Sequence, residues 1–274
     1  FVTTFHGTYS INNKIKKKYN SVMARGDKVI AISNFIKKHI LNNYDISNEK
    51  IATIHRGIKV DYFNHLKVSS ERLISFSKKF NIPEENFVIL LPGRITRWKG
   101  HKDLIEAIAM LGRNDITCLF VGDIQGKNKY YNELNLLIRK LGLTSNFRII
   151  KNQIDMPAIY KLADVVVSAS TDPEAFGRVV AEAQAMGRLT IAVNHGGGPE
   201  IIEEGETGWL FEPGNTIDLA EKIREAIEIN KEDRQIMTSK AIERTSLNFN
   251  HDNMCNKTLE VYSELIGEDS KNER

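Results

Sequence analysis

Four charged residues keep unusual company in this 274-residue sequence. Glu174 and Glu182 stand eight positions apart in TDPEAFGRVVAEAQAMG (171–187), a stretch otherwise close to apolar. Arg94 and Lys99 share PGRITRWKG (92–100) with Gly93 and Gly100. An arginine forks two hydrogen bonds to an oxyanion, a lysine acts as a point charge, and glycines let the backbone come close, so this loop suits a diphosphate. A solvated basic turn is the other reading of the same residues. Glu182 sits among Val179, Val180, Ala181 and Ala183, where a carboxylate needs partners. It either pairs with Arg178 one turn earlier, in the weaker order for such a pair, or binds ligand hydroxyls. Glu174 lies just ahead of a helix beginning at Gly177 and Arg178, where unpaired N–H groups and the helix dipole favour anionic oxygens. Two further places fit a ligand or a purely structural role. They are NHGGGPE (194–200), with three glycines ahead of a proline at a helix start, and His6 at the end of FVTTFH (1–6).

Strands and helices must hold these residues in place. From Phe87 on, short apolar runs alternate with amphipathic stretches: FVILLPG (87–93) precedes HKDLIEAIAMLGR (101–113), and ITCLFVG (116–122) precedes KYYNELNLLIRKLG (129–142). FRII (147–150) precedes DMPAIYKLA (155–163), DVVVSAS (164–170) precedes GRVVAEAQAMG (177–187), and LTIAV (189–193) precedes PEIIEEG (199–205). Strands this apolar predict a parallel sheet covered on both faces, a doubly wound α/β domain whose ligands bind beyond the carboxyl ends of the strands. Before it, FVTTFH, a lysine-rich helix over 13–25, KVIAIS (28–33), a helix over 34–43 capped by Ser33, and KIATIH (50–55) predict part of a second such domain. Residues 66–86 bridge the two, with a helix over 70–82. After 213 the pattern predicts helices over 217–229, 232–246 and 251–266 and a frayed end over 268–274. The expected division is a partial first domain over 1–70, a second over 71–250, and a C-terminal helix and tail over 251–274 packing back toward the first.

At 41% hydrophobic and 27% charged residues, the chain is globular, neither disordered nor fibrous. Cys118 and Cys255 make no disulfide framework and no metal spacing, which suits a reducing, cytoplasmic setting. No apolar run approaches the roughly 18 residues that span a bilayer. There is no Asp-x-Asp, the seven histidines are scattered, and GRITRWKG lacks the Gly-Lys-Ser/Thr ending of a P-loop. No Gly-x-Gly-x-x-Gly opens a strand–helix turn either, so neither a metal nor a cofactor is expected. Phe1 opens directly into a strand-like run, from which upstream sequence is expected. Residues 1–80 hold 15 Lys and Arg against 5 Asp and Glu, whereas the rest hold 23 against 30. A first part this basic fits an anionic surface or substrate (nucleic acid, acidic lipid or phosphorylated saccharide), or else a solvated lysine-rich face.

Taken in order, these loops resemble the retaining glycosyltransferases of family 4, which have the GT-B architecture of two facing doubly wound domains. The resemblance runs from about Phe1 to Ile266. It rests on Glu-x7-Glu (Glu174 to Glu182), NHGGGPEII, TGWLFEPGN, PGRITRWKG, SNF (33–35) and HRGIKVDYF (55–63). It implies that Gly93, Arg94 and Lys99 hold the donor's diphosphate, aided by the helix start at Ala175, Phe176, Gly177 and Val179. Glu174 would contact hydroxyls of the transferred sugar, Glu182 the ribose, and Gly122 and Ile154 the base. His6 would face the reacting sugar, which makes His6, Arg94, Lys99 and Glu174 the implied catalytic set. Two departures stand out: the family's first strand and glycine-rich loop do not occur in this sequence, and Arg56 stands where the family often has Asn.

The function implied is metal-independent transfer, with retention, from a nucleotide-sugar, GDP-mannose or a UDP-hexose, to a lipopolysaccharide core or another anionic envelope glycolipid or saccharide. PEAFGRVVAEAQAMG and HGGGPE are similar to bacterial core-sugar transferases. Peripheral contact with anionic membrane at the inner face of the cytoplasmic membrane is expected, and a nucleic-acid partner is not. Two other readings fit the same resemblance: a nucleotide-sugar-binding subunit inactive by itself, and a sugar phosphorylase or epimerase on the same architecture.

Overall fold

The computed structural model describes residues 1–9, 13–124, 126, 128–151 and 153–272, with side chains described as far as Gly267. Two all-parallel sheets organise it. The first has three strands in sequential order, β1 (Val2–Phe5), β2 (Lys28–Ala31) and β3 (Ile51–Thr53). The lysine-rich stretch between β1 and β2 forms a shorter helix than expected, α1 (Lys14–Asn20), followed by a 3-10 turn to Arg25. None of α1 is buried, so no core contact favours a longer helix. α2 (Asn34–Asn43) starts where expected, with the Ser33 hydroxyl accepting from the Ile36 N–H at 3.1 Å.

After α3 (Ser70–Phe80), six strands alternate with helices. The strands are β4 (Phe87–Pro92), β5 (Ile116–Val121), β6 (Phe147–Ile150), β7 (Val165–Ser168), β8 (Leu189–Val193) and β9 (Trp209–Phe211). The helices between them are α4 (His101–Leu111), α5 (Asn128–Lys140), α6 (Met156–Leu162), α7 (Arg178–Ala185) and α8 (Gly198–Ile201). The spatial order is β6-β5-β4-β7-β8-β9, so the chain builds outward from β4 in one direction and then returns to β4's other side with β7. Side chains alternate between the two faces as pleating requires. Leu90, Leu119, Val121 and Val166 join a core shared with the first sheet, while Ile89, Leu91, Phe120 and Val167 join the core under α4 and α5. The edge strand β9 has no counterpart in the pattern read from sequence, because its apolar run, WLF between Gly208 and Glu212, is too short to show a period, whereas β3 lies within the longer KIATIH.

α9 (Thr216–Glu228) and α10 (Lys231–Asn248) finish the second half, and α11 (His251–Asn272) returns to the first. α11 lays Met254 and Val261 against Val2, Ile30, Ala52 and Ile54 of the small sheet. It outruns the expected 251–266 and remains helical through most of the stretch expected to fray; residues 273–274 lie outside the described residues. Among the described residues, no helix is long and apolar enough to cross a membrane.

Candidate active site

In a sheet ordered this way, the loops leaving β4 and β7 point apart across a crevice, the topological switch point. Here both loops carry charge and are bound to each other. Gly100, at φ +71°, lies so close to the second loop that a Cβ would sit 1.8 Å from the Ala169 carbonyl oxygen. The Thr171 N–H donates to the Trp98 carbonyl at 2.7 Å. This clamp lets Lys99 Nζ reach Glu174 Oε1 at 2.7 Å, with the ammonium 4.5 Å from the Trp98 ring centre and the Ser170 hydroxyl donating to the same carboxylate oxygen.

Lys99 and Glu174 line a cleft of about 610 Å³ together with His6, Ile32, Arg56 and residues 175–179. His6 comes from the end of β1 and Arg56 from just beyond β3, so the two halves face each other here. Gly177 caps α7 in the left-handed region at φ +96°, and no side chain caps the helix start. That leaves backbone N–H groups and the positive end of the dipole for an anion. Arg56 Nη1 lies 3.4 Å from His6 Nδ1; burial and the Arg56 charge both lower the pKa of His6, favouring the neutral ring.

Of the remaining residues singled out in the sequence, Arg94 is exposed, its guanidinium 5.8 Å from the Trp98 ring, and does not line the cleft. Gly93 and Gly122 pack together, a Cβ on Gly122 falling 1.9 Å from the Gly93 carbonyl oxygen. Ile154 is 91% exposed and lies outside the cleft. Glu182 has protein partners on both oxygens: the buried Tyr160 hydroxyl donates to Oε2 at 2.8 Å and Arg178 Nη2 to Oε1 at 2.9 Å. The Arg178 pair is thus formed, and a ligand is not needed to satisfy this carboxylate. Burial raises the pKa of Glu182, opposed by those two contacts. The glycines of 194–200 serve the chain itself. A Cβ at Gly196 or Gly197 would run into the backbone of Glu174 or Phe176, and the Gly197 N–H donates to the Glu174 carbonyl at 2.8 Å.

Two site residues escaped sequence reasoning. Arg56 stood out only as a departure from a family pattern. Glu200, from α8, crosses to the first half: its carboxylate accepts from the N–H groups of Asn34 and Phe35 at 2.8 and 2.7 Å and lies 2.7 Å from His55 Nε2. Beside it the Ser33 hydroxyl donates to the Ala175 carbonyl at 2.6 Å. The proline-led helix start in HGGGPE was the visible signal, but its partners are about 150 residues away in the chain. Among the described residues, no three His, Cys, Asp or Glu side chains group closely enough to hold a metal ion.

Two facing parallel sheets, with the switch point between the β4 and β7 loops, give the α/β fold of solved glycosyltransferases of GT-B architecture. The chain belongs to the glycosyl transferases group 1, matched over residues 74–244, and residues 1–62 match Glycosyltransferase Family 4. The crystal structure of a glycosyltransferase from Rickettsia africae ESF-5 is 41% identical with a TM-score of 0.92, covering 97% of this chain and 70% of that one. HepE from Anabaena, solved in complex with UDP and glucose, is 26% identical with a TM-score of 0.87, covering 96% of this chain and 71% of that one. The D-inositol 3-phosphate glycosyltransferase of Salinispora tropica is 28% identical over 200 residues, 70% of this chain and 41% of its own length. Spore coat protein SA of Bacillus subtilis is 29% identical over 187 residues, 64% of this chain and 48% of its own. The chain therefore spans less than half the length of these curated relatives.

Proposed function

We propose that this chain carries the donor site and the facing wall of a retaining, metal-independent glycosyltransferase that moves a hexose from a nucleotide-sugar to an anionic envelope saccharide or glycolipid. The observation that carries this reading is the Lys99–Glu174 pair beside an uncapped helix start, with His6 across the same cleft. In the transfer, the bond from sugar C1 to the phosphate oxygen breaks and a bond from C1 to the acceptor oxygen forms on the same face. The hydroxyl proton passes to the leaving phosphate. Negative charge grows on the diphosphate, where Lys99 and the N–H groups at the start of α7 stabilise it without reorganising. Arg94 joins them by turning from Trp98, and Glu174 receives hydroxyls of the sugar. Glu182 reaches the ribose by exchanging Arg178 for a ribose hydroxyl, and Gly122 and Ile154 flank the base.

Two donors fit: UDP-hexose is supported by the HepE complexes with UDP and UDP-glucose, and GDP-mannose by the motif resemblance to core-sugar transferases. Residues 1–80 carry a surplus of ten positive charges, which favours an anionic acceptor such as a lipopolysaccharide core. In α1, Ile15 and Tyr19, with Val22 just beyond, are exposed among four lysines, a composition that adheres to anionic membrane at the cytoplasmic face. Incubation with UDP-glucose and GDP-mannose labelled at C1, followed by NMR of the product's anomeric centre, tests the reading. Transfer with an inverted anomer, or binding of neither UDP nor GDP, overturns it.

A further inference from the structure

The cleft holds three cationic side chains besides His6, and two already have carboxylate partners: Lys99 with Glu174 and Arg178 with Glu182. Among the described residues, the third, Arg56, makes no ion pair. Its one polar contact is with a neutral partner, His6 Nδ1 at 3.4 Å. A guanidinium only donates, so Nδ1 accepts and the imidazole carries its proton on Nε2. The backbone on either side of Arg56 is held in place. On one side, His55 is bound to Glu200. On the other, Gly57 is wedged so tightly that a Cβ would sit 2.4 Å from the His251 Cα, and its N–H donates to Met254 Sδ at 3.2 Å. An unmatched guanidinium on a fixed backbone, beside the histidine that faces the reacting sugar and across from the donor loops, is suited to a planar or tetrahedral oxyanion.

We propose that Arg56 is a specificity-determining residue that binds a phosphate group of the sugar acceptor, close to the hydroxyl that attacks. This rests on the donor site lying at Lys99 and Glu174, so that the nucleotide fills one side of the cleft and the acceptor the other. Arg56 forks two hydrogen bonds to the phosphate, while His6 keeps its Nε2–H for the neighbouring hydroxyl. The pairing selects a phosphorylated acceptor over its neutral counterpart and accounts for an arginine where the family pattern often has asparagine.

The test titrates inorganic phosphate into the whole chain after saturation with UDP or GDP, by calorimetry, and follows the His6 ring by NMR as pH is varied. Phosphate is expected to bind at one site without displacing the nucleotide. Arg56→Gln should weaken it about tenfold or more, as expected for losing a charge-assisted contact, with nucleotide affinity retained. Arg56→Lys should weaken it less, and Arg56→Gln should raise the pKa of His6, which a purely structural role would not do. Equal phosphate affinity in Arg56→Gln overturns the proposal, as does competition between phosphate and nucleotide, which would assign Arg56 to the donor. If Arg56→Gln weakens adhesion to phosphatidylglycerol vesicles and leaves phosphate binding intact, Arg56 serves the membrane and the proposal also fails. Nucleotide binding without a phosphate site sinks this inference alone, whereas no nucleotide binding sinks the donor reading and this inference with it.

Discussion

Lys99 and Glu174 hold each other at 2.7 Å, so a diphosphate that takes the ammonium also frees the carboxylate for the sugar. Lys99→Ala should lower transfer about a hundredfold, comparable to losing one preorganised oxyanion donor, as read from kcat with the preferred donor. Glu174→Ala should likewise reduce kcat while nucleotide affinity holds. Glu182→Gln should do the reverse: nucleotide binding by calorimetry weakens, while stability moves by less than about 1 kcal/mol because Arg178 is largely exposed and Tyr160 keeps an acceptor. Unchanged UDP and GDP affinity in Glu182→Gln would leave this carboxylate a structural partner only. At this scale the sequence was informative where a residue's place follows from lying beyond a strand end, as for Lys99, Glu174 and His6, which meet in one cleft. It was silent on Tyr160, whose contact with Glu182 spans 22 positions and reaches from α6 to α7. It also could not show that Arg94 rests on Trp98 or that Ile154 stands clear of the cleft.

Helix α2 begins under a carboxylate from the other half. Glu200 supplies what an N-terminal side-chain cap supplies and adds His55, so Glu200→Ala should cost about 2 kcal/mol at pH 7 in chemical denaturation. Burial opposes its charged form, yet the hydrogen bonds from His55, Asn34 and Phe35 prevail and hold its pKa below the ordinary 4.5. A group whose folded pKa is depressed stabilises above its unfolded value, and the benefit fades as pH falls through the folded one. The gap between wild type and Glu200→Ala should therefore be full at pH 7 and close below pH 4.5. Gly100→Ala should cost more than about 2 kcal/mol, visible as a lowered thermal midpoint, since the left-handed backbone and the Ala169 carbonyl both reject a Cβ. The strands β1 to β8 were legible because apolar runs bounded by turns can hardly be anything else. β9 was not, since its three residues pair only because β8 lies beside them, and α1 stopped short of its lysine pattern because nothing packs against it.

The whole molecule divides its charge between its halves, which sets how it meets a surface. Binding to vesicles containing anionic lipid should exceed binding to neutral ones at low salt and fall steeply as ionic strength rises. Equal binding to both would remove the membrane from the account. The chain passes between the halves twice, outward after β3 and back before α11, and the two passages are stitched together where they meet. The Ile58 N–H donates to the Phe249 carbonyl at 2.8 Å, and the His251 N–H to the Ile58 carbonyl at 2.9 Å. Two passages tied at one place fix the spacing of the halves there, beside the core they share. Glu200 and Ser33 add a second tie, from α8 and the loop before α7 to the start of α2. Gly57 is what lets the first tie close: one added methyl group would meet the His251 backbone, push the passages apart and shift the two sides of the cleft against each other.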